Sequence, residues 1–163
     1  MSGKNEKFTV RAAVYLILMT SSNKDDISAS GAVIKDNKVL LSRRYKTGWM
    51  DGMYSLIAGH LDGNEPVGDS MIREAFEEAG IKIEKKGLIP NKVLHRKSDD
   101  CEYMDFFFTT KVWTGEPRII EPNKCDDMSW FPINNLPSNT LPYIRKVIEN
   151  LNDGVPFIES GWK

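Results

Sequence analysis

The sequence predicts an α/β (α+β) fold, a mixed β-sheet with helices on its faces in an α/β/α layering. Two observations predict it. Short runs rich in β-branched and aromatic residues recur along the chain, separated by polar and Gly/Pro-containing stretches. Two amphipathic stretches with helix start and stop residues stand far apart, and strands flank both.

The elements follow in order. "VRAAVYLILMT" (Val10–Thr20) reads as a buried strand, and "SSNKDD" (Ser21–Asp26) as a polar loop. "ASGAVIK" and "KVLLSRR" (Lys38–Arg44) flank "DN", the pattern of a β-hairpin. Residues 45–54, with Gly48, Gly52 and an exposed Trp49, read as a loop, and "YSLIAG" as a short strand. Pro66 suits the first turn of a helix and Gly80 its end, so a helix is expected from Pro66 or Val67 to Ala79. "MDFFFTTKVW" (Met104–Trp113) is a further strand, joined by "TGEPRIIEPNKCDD" to a short strand at "MSWF". "SNTLPYIRKVIENLNDG" opens with cap residues and Pro142, keeps Tyr143, Val147 and Leu151 apolar, and closes on Gly154 as a second helix. No internal repeat, low-complexity segment or linker interrupts the chain, so one domain over residues 1–163 is expected.

Composition narrows the function. Hydrophobic residues make up 40% and charged residues 28%, the balance of a folded globular protein rather than a disordered one. A net charge of −1 gives no basis for binding nucleic acid through its phosphates, and "SRRYK" is too short to change that. Cys101 and Cys125 lack metal-ligand spacing and read as two reduced thiols. The longest apolar run, Ala12–Met19, is too short to span a bilayer and lacks a leader-type cleavage site. A soluble cytoplasmic protein is expected, with no membrane partner.

The unusual feature is "AGHLDGNEPVGDSMIREAFEEAGI", where Glu74, Glu77 and Glu78 crowd a helix end beside a single arginine. On a helix the three carboxylates fall within an arc of about 100°, opposite Ile72, Ala75, Phe76 and Ala79, the expected core face. Like charges at i,i+3 and i,i+4 each cost a few tenths of a kcal/mol. The helix dipole also disfavours anions at this end. A hard divalent cation would reverse the sign of each effect. Charge balance alone leaves both a metal site and a solvated acidic face open.

Spacing adds to this. Gly59, five residues, Glu65, seven residues, then Arg73-Glu74-Ala75-Phe76-Glu77-Glu78-Ala79-Gly80-Ile81 resembles the Nudix box and meets every specified position. Chance agreement at its fixed identities is on the order of 10⁻⁸ per window. "KVLLSRR" and "WFPINNLP" are similar to flanking family segments, so the likeness covers most of the chain.

The resemblance implies a Nudix-type α/β/α sandwich and hydrolysis of a phosphoanhydride in a nucleoside diphosphate-linked substrate, with Mg²⁺ or Mn²⁺. By position it makes Glu74, Glu77 and Glu78 metal ligands, with the Ala58 carbonyl as a backbone ligand. Arg73 would orient the glutamates, Glu65 would tie loop to helix, and Gly59 and Gly80 would allow special backbone angles. MutT-type members carry a further glutamate after the long late strand, which favours Glu121 as general base and additional ligand; Asp126 and Asp127 compete.

For substrate, one of Arg43 and Arg44 is expected to face the cleft, since strand residues alternate. Tyr45, Trp49, Phe107 and Trp130 are base-stacking candidates, with Trp49 expected to bind substrate, although aromatics on strands more often belong to the core. Asn139 lies near the position where MutT-type enzymes read a guanine edge, and also suits a helix N-cap. Arg96 stands where ADP-ribose enzymes carry a proline, and Lys97, Ser98 and Asp99 where dinucleoside-polyphosphate enzymes carry a tyrosine. These absences favour a nucleoside triphosphate, oxidised ones included, cleaved to monophosphate and pyrophosphate. ADP-ribose or another nucleoside diphosphate sugar is the alternative, and a non-catalytic nucleotide-binding module a further one. Monomer and homodimer both remain open, as do the 19–31 loop and the tail "VPFIESGW".

Overall fold

β1 (Val10–Leu18) organises the molecule, because both of its faces are buried. Ala13, Tyr15 and Ile17 point into one core cluster and Val14, Leu16 and Leu18 into another. The alternation of a strand divides a continuous apolar run between two cores in this way. The computed structural model describes residues 9–20, 37–99 and 101–163.

The remaining elements are β2 (Lys38–Arg44), β3 (Tyr54–Ser55), β4 (Ile57–His60), α1 (Val67–Ala79), β5 (Ile89–Lys97), β6 (Glu102–Thr110), β7 (Cys125–Pro132), α2 (Pro142–Glu149) and β8 (Phe157–Ser160). A five-stranded mixed sheet has the order β4-β1-β6-β5-β8, and a three-stranded sheet the order β3-β2-β7. β1 runs parallel to β6 and antiparallel to β4. One cluster contains Ile144, Val147 and Ile148 of α2; the other contains Met71, Ala75 and Ala79 of α1. The helices therefore cover opposite faces of β1, as the α/β/α expectation requires.

Both predicted helices form. α1 runs Val67–Ala79 and ends on Gly80 in the left-handed region, φ 69°. α2 begins at Pro142 but ends at Glu149, short of the expected Gly154. The predicted "YSLIAG" strand is two strands broken at Leu56: Ser55 pairs with β2, whereas Ile57 pairs with β1. The Ser21–Asp26 loop and the first arm of the hairpin lie outside the described residues.

Two strands have no counterpart in the sequence reading. β5 pairs antiparallel with β6, bulges between Pro90 and Lys92, and holds a buried lysine. Lys92 Nζ bonds the Asp153 carboxylate and the Val155 carbonyl, which fastens the chain leading into β8. β8 then pairs with β5, Trp162 donates to the His95 carbonyl, and Ile158 packs on the core, so the tail lies on the body. Asp153→Ala would leave the Lys92 ammonium buried without its anion. We expect a loss of about 1–3 kcal/mol, or roughly 3–10 °C in Tm, measured by thermal unfolding.

Candidate active site

The packing of α1 corrects the expected core face. With Met71 set at 0°, Glu78 falls near −20° and Glu74 near −60°, beside Ala75 near +40° and Ala79 near +80°. Glu78 therefore lies within the buried arc, while Phe76 lies outside it at 53% exposure. Glu78 reaches the edge of β4, where the Ala58 N–H donates to its Oε2 at 3.0 Å. Burial pushes the Glu78 carboxyl up to about 7, with the charges of Glu74 and Glu121 adding to the effect and the Ala58 bond opposing it. Glu74, only 13% exposed, is likewise raised by burial, against the pull of Arg73.

Arg73 is the hub of the acidic face. It bonds both oxygens of Glu65 at 2.8 and 3.2 Å, Glu74 at 2.9 Å and Glu77 at 3.0 Å. Held by this guanidinium, the Glu65 carboxyl lies below its ordinary value. Glu77 stays on the outer side at 52% exposure. Among the described residues, no group of three His, Cys, Asp or Glu side chains is arranged to hold a metal ion.

Gly59 has a reason in these contacts. A Cβ there would lie 2.0 Å from Glu74 Cδ, so only glycine lets the carboxylate rest against β4. The atoms met belong to a flexible side chain, so Gly59→Ala should displace Glu74 more than it unfolds the protein. We expect kcat to fall tenfold or more with little change in Tm; unchanged kcat would remove Glu74 from the site.

The loop after β6 docks on the C-terminal end of α1. Arg118 N–H donates to the Ala79 carbonyl and Ile120 N–H to the Glu78 carbonyl, satisfying groups that a helix end leaves unpaired. Gly115 packs against the Gly80 carbonyl, its notional Cβ 3.1 Å away. This docking brings Glu121 to Glu78, and both line one cavity. Lys124 bonds Glu121 at 2.8 Å and also feels Glu78 and Glu74. It is the lysine that the local sequence around the glutamates lacks. The competing acids are engaged elsewhere: Asp126 pairs with Arg43 through two bonds of 2.8 and 3.1 Å, and Asp127 accepts from Tyr54 and Ser129. Neither lines the cavity.

The cavity measures about 700 Å³ and runs from Glu78 and Glu121 past Tyr15 to Arg96 and Tyr103. Both Arg43 and Arg44 line it, against the expectation of one. The register shift opposite these two residues places its extra residue, Asp126, on β7 and leaves the alternation of β2 intact; Arg44 is the last residue of β2, and its long side chain is held by the loop that follows. Arg44 bonds the Trp49 carbonyl and Thr47, with its guanidinium 4.9 Å from the Trp49 ring centre. Trp49 itself is 45% exposed and lines the cavity.

Other candidates are used structurally. Phe107 is buried and stacks on Tyr15, Trp130 stacks on Trp113, and Tyr45 does not line the cavity. Asn139 does not cap α2, whose N-cap is Leu141; its amide donates to the Gly52 carbonyl at 2.7 Å, outside the cavity lining. Sequence reasoning did not anticipate that Lys124, Tyr15, Tyr143 and Arg96 line the cavity; for Arg96 the only signal was an arginine in place of an expected proline. Cys101 and Cys125 are both free thiols. No helix among the described residues is long and apolar enough to cross a membrane.

A family model for the NUDIX domain matches residues 26–151. The chain belongs to the Nudix family. It is a Nudix hydrolase of nucleoside diphosphate-linked substrates, and members of this family generally require divalent metal ions. It is 28% identical to an ADP-ribose pyrophosphatase of Methanocaldococcus jannaschii, over 76% of this chain and 71% of that one. It is 32% identical to an NAD-capped RNA hydrolase, NudC, of Vibrio atlanticus, over 76% of this chain. There the chain spans only 44% of the relative's length. In fold it resembles a MutT Nudix hydrolase from Burkholderia pseudomallei, with a TM-score of 0.72 at 23% identity, covering 88% of this chain and 99% of that one.

Proposed function

We propose that this Nudix hydrolase cleaves a nucleoside triphosphate to the monophosphate and pyrophosphate, using Mg²⁺ or Mn²⁺. The observation that carries the reading is one cavity lined at one end by Glu78 and Glu121 and along its length by arginine and aromatic side chains. The donor set fits a hard cation. Glu78 and Glu74 offer carboxylate oxygens beside the Ala58–Gly59 backbone, and Glu121 lies near by. Magnesium commonly takes one or two carboxylates and completes its shell with water and substrate phosphate, so a full protein cage is not needed. Glu77 and the Ala58 carbonyl complete the proposed ligand set. Bound there, the cation would offset phosphate charge and make the attacking water more acidic.

The chain's own residues do the rest. Glu121 takes a proton from water as its oxygen bonds to phosphorus; the bridging P–O bond breaks and its electron pair leaves with the departing phosphate. Lys124 holds Glu121 in place, and Arg73 with Glu65 fixes the helix face that carries Glu74. Arg44, stacked on Trp49, offers its charge to substrate phosphates.

The likeness to an ADP-ribose pyrophosphatase favours a second reading, ADP-ribose or another nucleoside diphosphate sugar. Asn139 no longer supports guanine reading, because its amide is held by Gly52. A panel of triphosphates, ADP-ribose and sugar nucleotides, assayed with Mg²⁺ and with Mn²⁺, separates the readings. Pyrophosphate appears only from triphosphates, and sugar phosphate only from the second class. No turnover of any member would leave a nucleotide-binding module, although retention of every box carboxylate argues against that.

A further inference from the structure

Away from the glutamates the cavity is lined by a second built group, which the hydrolytic chemistry does not use. Arg96 on β5 stands three strands from β4 in the sheet, about 14 Å away at ordinary strand spacing. Its guanidinium carbon lies 4.2 Å from the ring centre of Tyr103 and 4.4 Å from that of Tyr143. Its Nε donates to Asp105 Oδ2 at 2.9 Å, and the Asp105 side chain is wholly buried. Among the described residues, no protein acceptor bonds the two terminal nitrogens of Arg96, although the side chain is only 13% exposed and lines the cavity.

Such an arrangement is costly unless something uses it. Asp105 largely balances the arginine's charge, so the pair is a weak trap for phosphate. What remains free is a planar fork of N–H donors, fixed in direction by two tyrosine rings and one carboxylate. A ligand bonded in the plane of that fork extends the plane beside the two tyrosine rings, which line the same cavity. A flat heterocycle meets this demand and a phosphate does not. Two parallel N–H groups match a base edge with two adjacent acceptors; adenine offers one acceptor beside an amine, which would meet the fork donor to donor.

We propose that Arg96, held by Asp105 and packed against Tyr103 and Tyr143, selects the nucleobase by bonding an edge with two adjacent acceptors, as in guanine O6 and N7. This rests on the nucleotide-hydrolase reading and adds base specificity to it. Arg96 touches the base and not the scissile anhydride, so it is a specificity residue.

Steady-state kinetics with GTP against ATP, and with a guanosine diphosphate sugar against ADP-ribose, test it in whichever series the enzyme turns over. We expect kcat/KM to favour the guanosine member about tenfold or more, the worth of one bidentate pair. Arg96→Lys keeps the charge beside buried Asp105 but loses the fork. It should retain Tm and kcat, raise KM for the guanosine substrate about tenfold, and erase the preference. A purely structural role would lower Tm and leave base preference intact. Equal or adenine-favouring kcat/KM in the wild type, or a preference that survives Arg96→Lys, overturns the proposal. If neither series is hydrolysed, the hydrolase reading has failed. Fluorescence titration with GMP and AMP then still decides the role of Arg96, equal affinities overturning it and tighter GMP binding lost in Arg96→Lys upholding it.

Discussion

Glu78→Gln is expected to lower kcat about 10³-fold at saturating Mg²⁺, since the several kcal/mol that a bound cation contributes depend on its ligands. The folded protein should tolerate the change well. Glu78 is a carboxyl pushed up to about 7 by burial, and its ordinary value is 4.5. A raised folded value means that the native state binds the proton more tightly than the unfolded chain. The contribution of this group to stability without metal is therefore greatest below about pH 4.5, falls as pH rises toward 7, and levels off above it, with roughly 3 kcal/mol at stake. Glutamine mimics the protonated acid, so the variant should lose this pH slope and equal or exceed wild-type Tm at pH 8 without metal. Thermal unfolding from pH 4 to 9 and initial rates on one sample test both halves. A variant that keeps wild-type kcat would remove Glu78 from the metal site.

Glu121→Gln is expected to cost about 10²-fold in kcat, the ordinary worth of a positioned general base. The carboxylate lies 35% exposed in the cavity wall and pairs with Lys124. Losing a partly exposed ion pair should cost less than about 1 kcal/mol, so activity and Tm should separate cleanly. Near-wild-type turnover would move the base to Asp126, Asp127 or the box glutamates. Asp126 would then first have to leave Arg43, and Asp127 would have to leave Tyr54.

Parts of the site were legible because they are local. The box residues lie within one loop and one helix, so spacing alone indicates which side chains share a surface. Pro66 and Gly80 mark that helix to within a residue. Burial was not legible. Glu78 and Phe76 exchange their expected places because what covers a helix face depends on the sheet edge it meets, here Ala58 and Gly59 of β4. β5 and β8 were missed for a related reason. "IPNKVLHRK" carries Pro90, Asn91 and three cationic residues, and the burial of Lys92 depends on Asp153, an acid 61 residues away.

The sequence by itself determined the family and the hydrolase class, because those depend on residue type at fixed short spacing. Only the tertiary structure decided which acids and cations meet. Glu121 and Lys124 reach Glu78 because a loop pairs with the unpaired carbonyls at the end of α1. Both Arg43 and Arg44 line the cavity because Arg44, at the end of β2, is bonded to Thr47 and the Trp49 carbonyl of the loop that follows. Arg96 gains its orientation from Asp105 and Tyr103 on β6 and Tyr143 on α2. Such meetings depend on strand register and loop docking between segments distant in sequence, and no local spacing encodes them.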